Sequence, residues 1–126
     1  MAKTVFHSPS IGDTPSVARI VKAGNTLYIN GLIGNDINGK VVGPGDMKAQ
    51  ADRVFERMAL ALKDAEASVD DVVQMTVFVT DISRISEVTE ARNKYFPNGG
   101  IATTGIEIKA LVTPDHVIEV NGVAVV

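Results

Sequence analysis

Two periodicities divide this chain. "ARIVKAGNTLYING" reads as two strands around an Ala23-Gly24-Asn25 turn, with Gly24 or Asn25 able to take positive φ. "DINGKVVG" follows, with Asn38-Gly39 as a hairpin turn. The period then changes. From Asp46 to Ala65 the apolar positions are Met47, Ala51, Val54, Phe55, Met58, Ala61, Leu62 and Ala65, one stripe on a helix whose N-cap is Asp46. "VVQMTVFVT" (Val72 to Thr80) alternates and is rich in β-branched residues, so it predicts a strand. A second helix runs from about Ser83 to Phe96, with Ile85, Val88, Ala91 or Arg92, and Tyr95 inward, and Pro97 ends it. Thr103 to Leu111 and Val117 to Val126 predict the last two strands.

With a strand at the N-terminus the order is β-β-β-α-β-α-β-β, an α+β domain over residues 1–126. Its two helices suffice for one face of a six-stranded sheet. Strict alternation puts Tyr28, Thr76, Phe78, Glu107, Lys109, Glu119 and Asn121 on the other face. That face is too apolar for open water and too polar for a dry core, so it is expected to pack against another subunit.

Composition narrows the chemistry. Cysteine is absent, which excludes disulfides, thiolate catalysis and cysteine-based zinc sites. The net charge is -3 and aromatic residues make up only 5%, which argues against a nucleic-acid footprint. No apolar run reaches the ~18 residues of a membrane span, and "MAKTVFHSPSIGD" has no secretory core. No membrane partner is expected, and the expected compartment is the cytoplasm.

Most motifs have an ordinary structural explanation. "GNDINGKVVGPGD" places Asp36 and Asn38 at calcium-loop spacing, but glycines stand at the first and last ligand positions, so a turn is preferred. His7 and His116 lack a third ligand nearby in sequence, so no metal is expected. No GxSxG elbow or phosphate loop is present. Glu119 is different. It interrupts "HVIEVNGVAVV", the most apolar strand, where a carboxylate gives up hydration. It reads either as a general acid–base or as the partner of Lys109 on a neighbouring strand.

In order and spacing, several segments resemble the RidA (YjgF) family nearly end to end. "LYINGLIG" is similar to its strand ending in Gly-Gln-Ile. "ERMALALKDAEASVDDVVQMTVFVTDIS" is similar to its long helix, turn and following strand. "ARNKYFPNGGIAT" is similar to its Phe-Pro…Pro-Ala-Arg segment, and "VIEVNGVAVV" to its closing strand. The resemblance implies a chorismate-mutase-like fold with a mostly antiparallel sheet and two helices on one face. It also implies a homotrimer with ligand clefts between subunits. The activity implied is cofactor-free hydrolysis of reactive imines and enamines to carbonyl compounds and ammonia.

Residue by residue, the resemblance carries over in part. Glu119 matches a glutamate that positions or activates water, and Gly31 a glycine lining the cleft. Asn30 stands at a usual serine, Leu32 at a glutamine and Val17 at a common tyrosine. Gly105 falls at a small residue or cysteine. Thr103 occupies the place of the arginine that holds the substrate carboxylate. Thr103 offers one neutral hydrogen bond in place of a bidentate, charge-assisted pair. The usual 2-imino acids are therefore expected to bind weakly, unless Arg19 or Arg92 supplies the cation. An enzyme acting on a small imine, enamine or related compound is the preferred reading. A non-catalytic trimeric binding protein is second, and an endoribonuclease or translation inhibitor, a label some relatives carry, is last.

Overall fold

The computed structural model describes residues 2–126. Its strands are β1 (Lys3–Phe6), β2 (Ile20–Ala23), β3 (Thr26–Ile33), β4 (Val72–Val79), β5 (Ala102–Glu107) and β6 (Ile118–Val125). The helices are α1 (Met47–Asp64) and α2 (Ile85–Tyr95). The order is the one the pattern predicts, β-β-β-α-β-α-β-β. One six-stranded sheet runs β1-β2-β3-β6-β4-β5, with β4 and β5 parallel and the other neighbours antiparallel.

All eight residues of the α1 stripe are buried. Asp46 caps the helix, its carboxylate accepting from the Ala49 amide at 3.0 Å. The stripe packs on Leu27, Ile29, Met75, Val77, Val79, Ile118 and Val120, all buried on the helix-covered face. Burial of that stripe contributes on the order of 10 kcal/mol gross, before the entropy of ordering the chain is subtracted. Gln50 ties the helix to two loops: its amide nitrogen donates to the carbonyls of Gly43 and Asp115, and its oxygen accepts from the Val117 amide. A buried amide with its polar atoms satisfied in this way fixes register without an unpaired group.

Four local expectations change. The second helix begins with a single 3-10 turn, Ile82–Arg84, capped by Asp81, and becomes α-helical only at Ile85; Ala91, not Arg92, is buried. The Asn38-Gly39 segment is a turn with a single bridge, Asn35 to Val41, and no flanking strands. Gly39 takes φ 81° there, and the Asp36 carboxylate accepts the amides of Asn38 and Lys40. β5 ends at Glu107, four residues early, so Lys109 lies in the following loop.

The fourth change is the facing of β5. Parallel pairing sets Thr103 beside Met75, Gly105 beside Val77 and Glu107 beside Val79, whose partners are all buried under the helices. Thr103, Gly105 and Glu107 therefore point to the helix side, and Thr104 and Ile106 to the open face. Glu107 confirms this by accepting from the Ile82 amide. An edge strand exposed along its whole length gives no burial contrast from which to read its inward side.

The other residues expected on the open face, Tyr28, Thr76, Phe78, Glu119 and Asn121, lie there. Thr76, Phe78, Glu119 and Asn121 are half-buried there and Tyr28 is 53% exposed. Val5, Ile106 and Val125 add exposed apolar surface.

Candidate functional site

The candidate residues fall into two clusters. The first is built on a bulge in β3. Register along the β3–β6 pair shifts between Ile29 and Leu32, which frees Asn30 and Gly31 from the ladder. β2 has meanwhile left β3, its last contact being the Asn30 amide on the Arg19 carbonyl at 2.9 Å. Arginines replace the missing strand. Arg19 Nη1 donates to the Gly31 carbonyl at 3.0 Å, Arg57 Nη1 to Ile33 at 2.6 Å and Arg53 Nε to Asn35 at 2.8 Å. Three alternate carbonyls are thus satisfied by side chains, as backbone acceptors near a core must be.

Glu119 stands on β6 across from this bulge, opposite Ile33 on one side and Phe78 on the other. Its carboxylate lies directly over Gly31. A Cβ placed on Gly31 would come within 2.5 Å of Glu119 Oε2, so only glycine lets the carboxylate occupy this position. Among the described residues the Glu119 carboxylate has neither a hydrogen bond nor an ion pair. The expected ion pair with Lys109 is not formed among the described residues: Lys109 lies in the loop after β5, and β4 separates β5 from β6. Asn30 frames the same bulge. Its oxygen accepts from the Gly31 amide at 2.8 Å and its nitrogen donates to the Ala18 carbonyl at 3.1 Å.

Arg19 is buried and already neutralised. Its Nε and Nη2 grip both oxygens of Asp13 at 2.9 and 3.0 Å. Burial pushes the Asp13 carboxyl up, but the hydrogen bonds and charge of Arg19, with the Ser8 amide, hold it below the usual range. Arg57 behaves in the opposite sense. Burial, then the nearby Arg19 and Arg53 charges, lowers its pKa to about 10, and its buried Nε has no partner among the described residues. Arg19 is therefore a prop beneath Gly31 rather than a free cation. The pair was missed in sequence, although an arginine inside "VARIV" signals a need for a carboxylate, and Asp13 is the acid just before it.

The second cluster lies on the helix side of β5. Thr103, Gly105 and Arg92 meet there around a small cavity of about 80 Å³, whose walls include Phe55, Val77, Ile85 and Val88. Arg92 Nη1 approaches Thr103 Oγ1 at 3.5 Å. Gly105 keeps the wall thin, since a Cβ there would touch Ile85 Cδ1 at 3.4 Å. Leu32 is fully buried and Val17 half-buried in the loop before β2.

The two clusters are on opposite faces of one sheet. Met75, beside Thr103, is buried under the helices, whereas Phe78, beside Glu119, points away from them. Within one chain, β4 and the thickness of the sheet separate the carboxylate from the cavity.

The chain matches the family model described as Endoribonuclease L-PSP over residues 13–126. It is 31% identical to a RutC family protein of Pyrococcus horikoshii, covering 98% of each chain. It is 33% identical to a protein of Acinetobacter baylyi named 3-aminoacrylate deaminase RutC, covering 90% of this chain and 91% of that one. Among solved structures, RidA from the Antarctic bacterium Psychrobacter sp. superposes with a TM-score of 0.85 at 27% identity, covering 98% of both. The α+β architecture, the end-to-end coverage and the family model agree, and the chain belongs to the RidA/YjgF (endoribonuclease L-PSP) family.

Proposed function

We propose that this protein hydrolyses a small reactive imine or enamine to a carbonyl compound and ammonia, without a cofactor, in a cleft between subunits of a homotrimer. One observation carries the reading: a half-buried carboxylate, Glu119, seated over a glycine and without a protein partner among the described residues. A carboxylate so placed is free to take a proton from water as its oxygen adds to the C=N carbon. For the protonated imine, that proton passes to the amine nitrogen of the carbinolamine, the hydroxyl gives its own proton to Glu119 as the C–N bond breaks, and ammonia leaves as the carbonyl forms. An enamine enters the same sequence once it is protonated at carbon. The A. baylyi relative's name places an enamine acid, 3-aminoacrylate, in this chemical class.

The separation of the two clusters supports an intersubunit site. Glu119 and the β5 cavity serve one ligand only if the open face of one copy meets the β5 edge of another. Exposed Tyr28, Val5, Val125 and Ile106 give that face a reason to be covered. The -3 net charge offers no phosphate footprint that would favour ribonuclease action.

The test is ammonia release from 2-iminobutanoate generated in situ by a threonine dehydratase, with semicarbazide competition as the control. Wild type should accelerate release with a high KM, because Thr103 stands where an arginine would hold the carboxylate, and Glu119→Gln should lose the acceleration while keeping its fold. Equal rates with and without the wild-type protein, for this imine and for 3-aminoacrylate, would reject the reading.

A further inference from the structure

We infer that Arg92, carried by α2, is the anion anchor of the β5 cavity and directs it to small carboxylates. The inference rests on the reading of that cavity as half of the ligand site. Ile85, Val88 and Arg92 are spaced three, then four residues apart, so they share one face of α2 and overlook β5 together. The first two form wall, and the third brings its guanidinium to the rim.

Among the described residues no carboxylate pairs with Arg92. Arg19, Arg53, Arg84 and Lys94 each pair with a carboxylate: Asp13, Glu56, Glu87 and Asp52. Among the described residues Arg92 has only neutral partners, Thr103 Oγ1 at 3.5 Å and Asn93 Oδ1 at 3.2 Å. Both hold the guanidinium plane without neutralising it. Thr103 is itself fixed, its hydroxyl proton donated to the Ile101 carbonyl at 3.1 Å, which leaves its lone pairs toward Arg92. An uncompensated, oriented fork at the mouth of a mostly apolar cavity, with Thr89 and Thr103 as its other polar walls, matches a planar carboxylate with a short carbon chain. Among the described residues lining the cavity Arg92 is the one cation, which suits a single negative charge better than a phosphate.

The experiment is calorimetric titration of the intact protein with 2-oxobutanoate, its neutral methyl ester and inorganic phosphate. Wild type, Arg92→Ala and Arg92→Lys are compared, alongside KM for the imine assay. Wild type should bind 2-oxobutanoate in preference to the ester and to phosphate. Arg92→Ala should weaken the acid by about 10- to 100-fold, as expected for hydrogen bonds to a charged group, and leave the ester unchanged. Arg92→Lys should recover part of the loss, because it restores charge without the fork. Equal affinity of wild type and Arg92→Ala for the acid overturns the assignment, as does failure of the acid to bind. Phosphate binding as tight as the acid overturns the ligand class. Arg92-dependent binding of the acid without any turnover would leave the anchor standing and reject hydrolysis. Turnover with KM unchanged in Arg92→Ala would do the reverse. Matching thermal midpoints of the three proteins exclude unfolding as the cause.

Discussion

Gly31 and Glu119 occupy one another's space: the carboxylate of β6 fills the volume a side chain on the β3 bulge would need. Gly31→Ala must therefore move Glu119, whose flexible end yields more readily than backbone. Catalysis should fall by up to the order of 10²-fold, the cost of misplacing a reacting group by about 1 Å, with little change in thermal midpoint. Turnover paired with a melting curve distinguishes this from a fold defect, and an unimpaired Gly31→Ala enzyme would detach Glu119 from the chemistry.

Glu119→Gln keeps the size of the side chain and removes the base. The loss expected for a general acid–base is roughly 10² to 10⁴-fold in kcat, with the assembly intact. Unchanged kcat would make Glu119 a structural residue.

The prop beneath Gly31 has its own signature. Removing one member of the Arg19–Asp13 pair leaves the other buried and unpaired, which costs roughly 3–5 kcal/mol. Arg19→Ala should therefore lower stability in denaturant titrations, with Asp13→Asn a milder case. A change under about 1 kcal/mol in Arg19→Ala would place the pair among weak surface contacts.

The same pair sets a pH dependence. Asp13 has a folded pKa below its ordinary 3.8, and so has Asp64, where burial is outweighed by the hydrogen bonds of Ser8 and Ser10. The folded state thus holds fewer protons than the unfolded chain near and below pH 3.8. Their stabilisation is complete above that pH and drains away as pH falls through the lower folded values. Thermal melts from pH 5 downward should show a steep decline, flatter in Asp13→Asn. Parallel declines in the two proteins would remove Asp13 from the cause.

Much of this was legible in the chain. The helices and the central strands have strong burial contrast, so period alone placed Val54, Met58, Met75 and Val120 in the core. Glu119 and Gly31 were legible through a charge in an apolar strand and through resemblance. Their contact was not, because a β-bulge leaves no period to count. β5 was misread in facing because both its sides are exposed in one chain. In sequence Arg92 is only an available cation. Its approach to Thr103 depends on how α2 crosses β5, a tertiary fact outside local patterning.

Assembly itself should be trimeric. Phe78→Asp puts a charge on the open face, beside Glu119 in register, and should dissociate the protein toward its 13.3 kDa chain. Light scattering giving a single-chain mass for wild type would contradict the covered face.

The most direct measurement mixes two crippled chains. Glu119→Gln removes the carboxylate, and Gly105→Leu fills the β5 cavity; each alone should be nearly inactive in ammonia release. If Glu119 of one copy and the β5 cavity of the next form one site, refolding the two variants together restores intact sites. With equal, random assembly, about a quarter of the interfaces receive both unaltered halves, so about a quarter of wild-type turnover should return. Turnover no higher than the mean of the two parents, from mixed trimers verified by mass, would contradict a site shared between subunits.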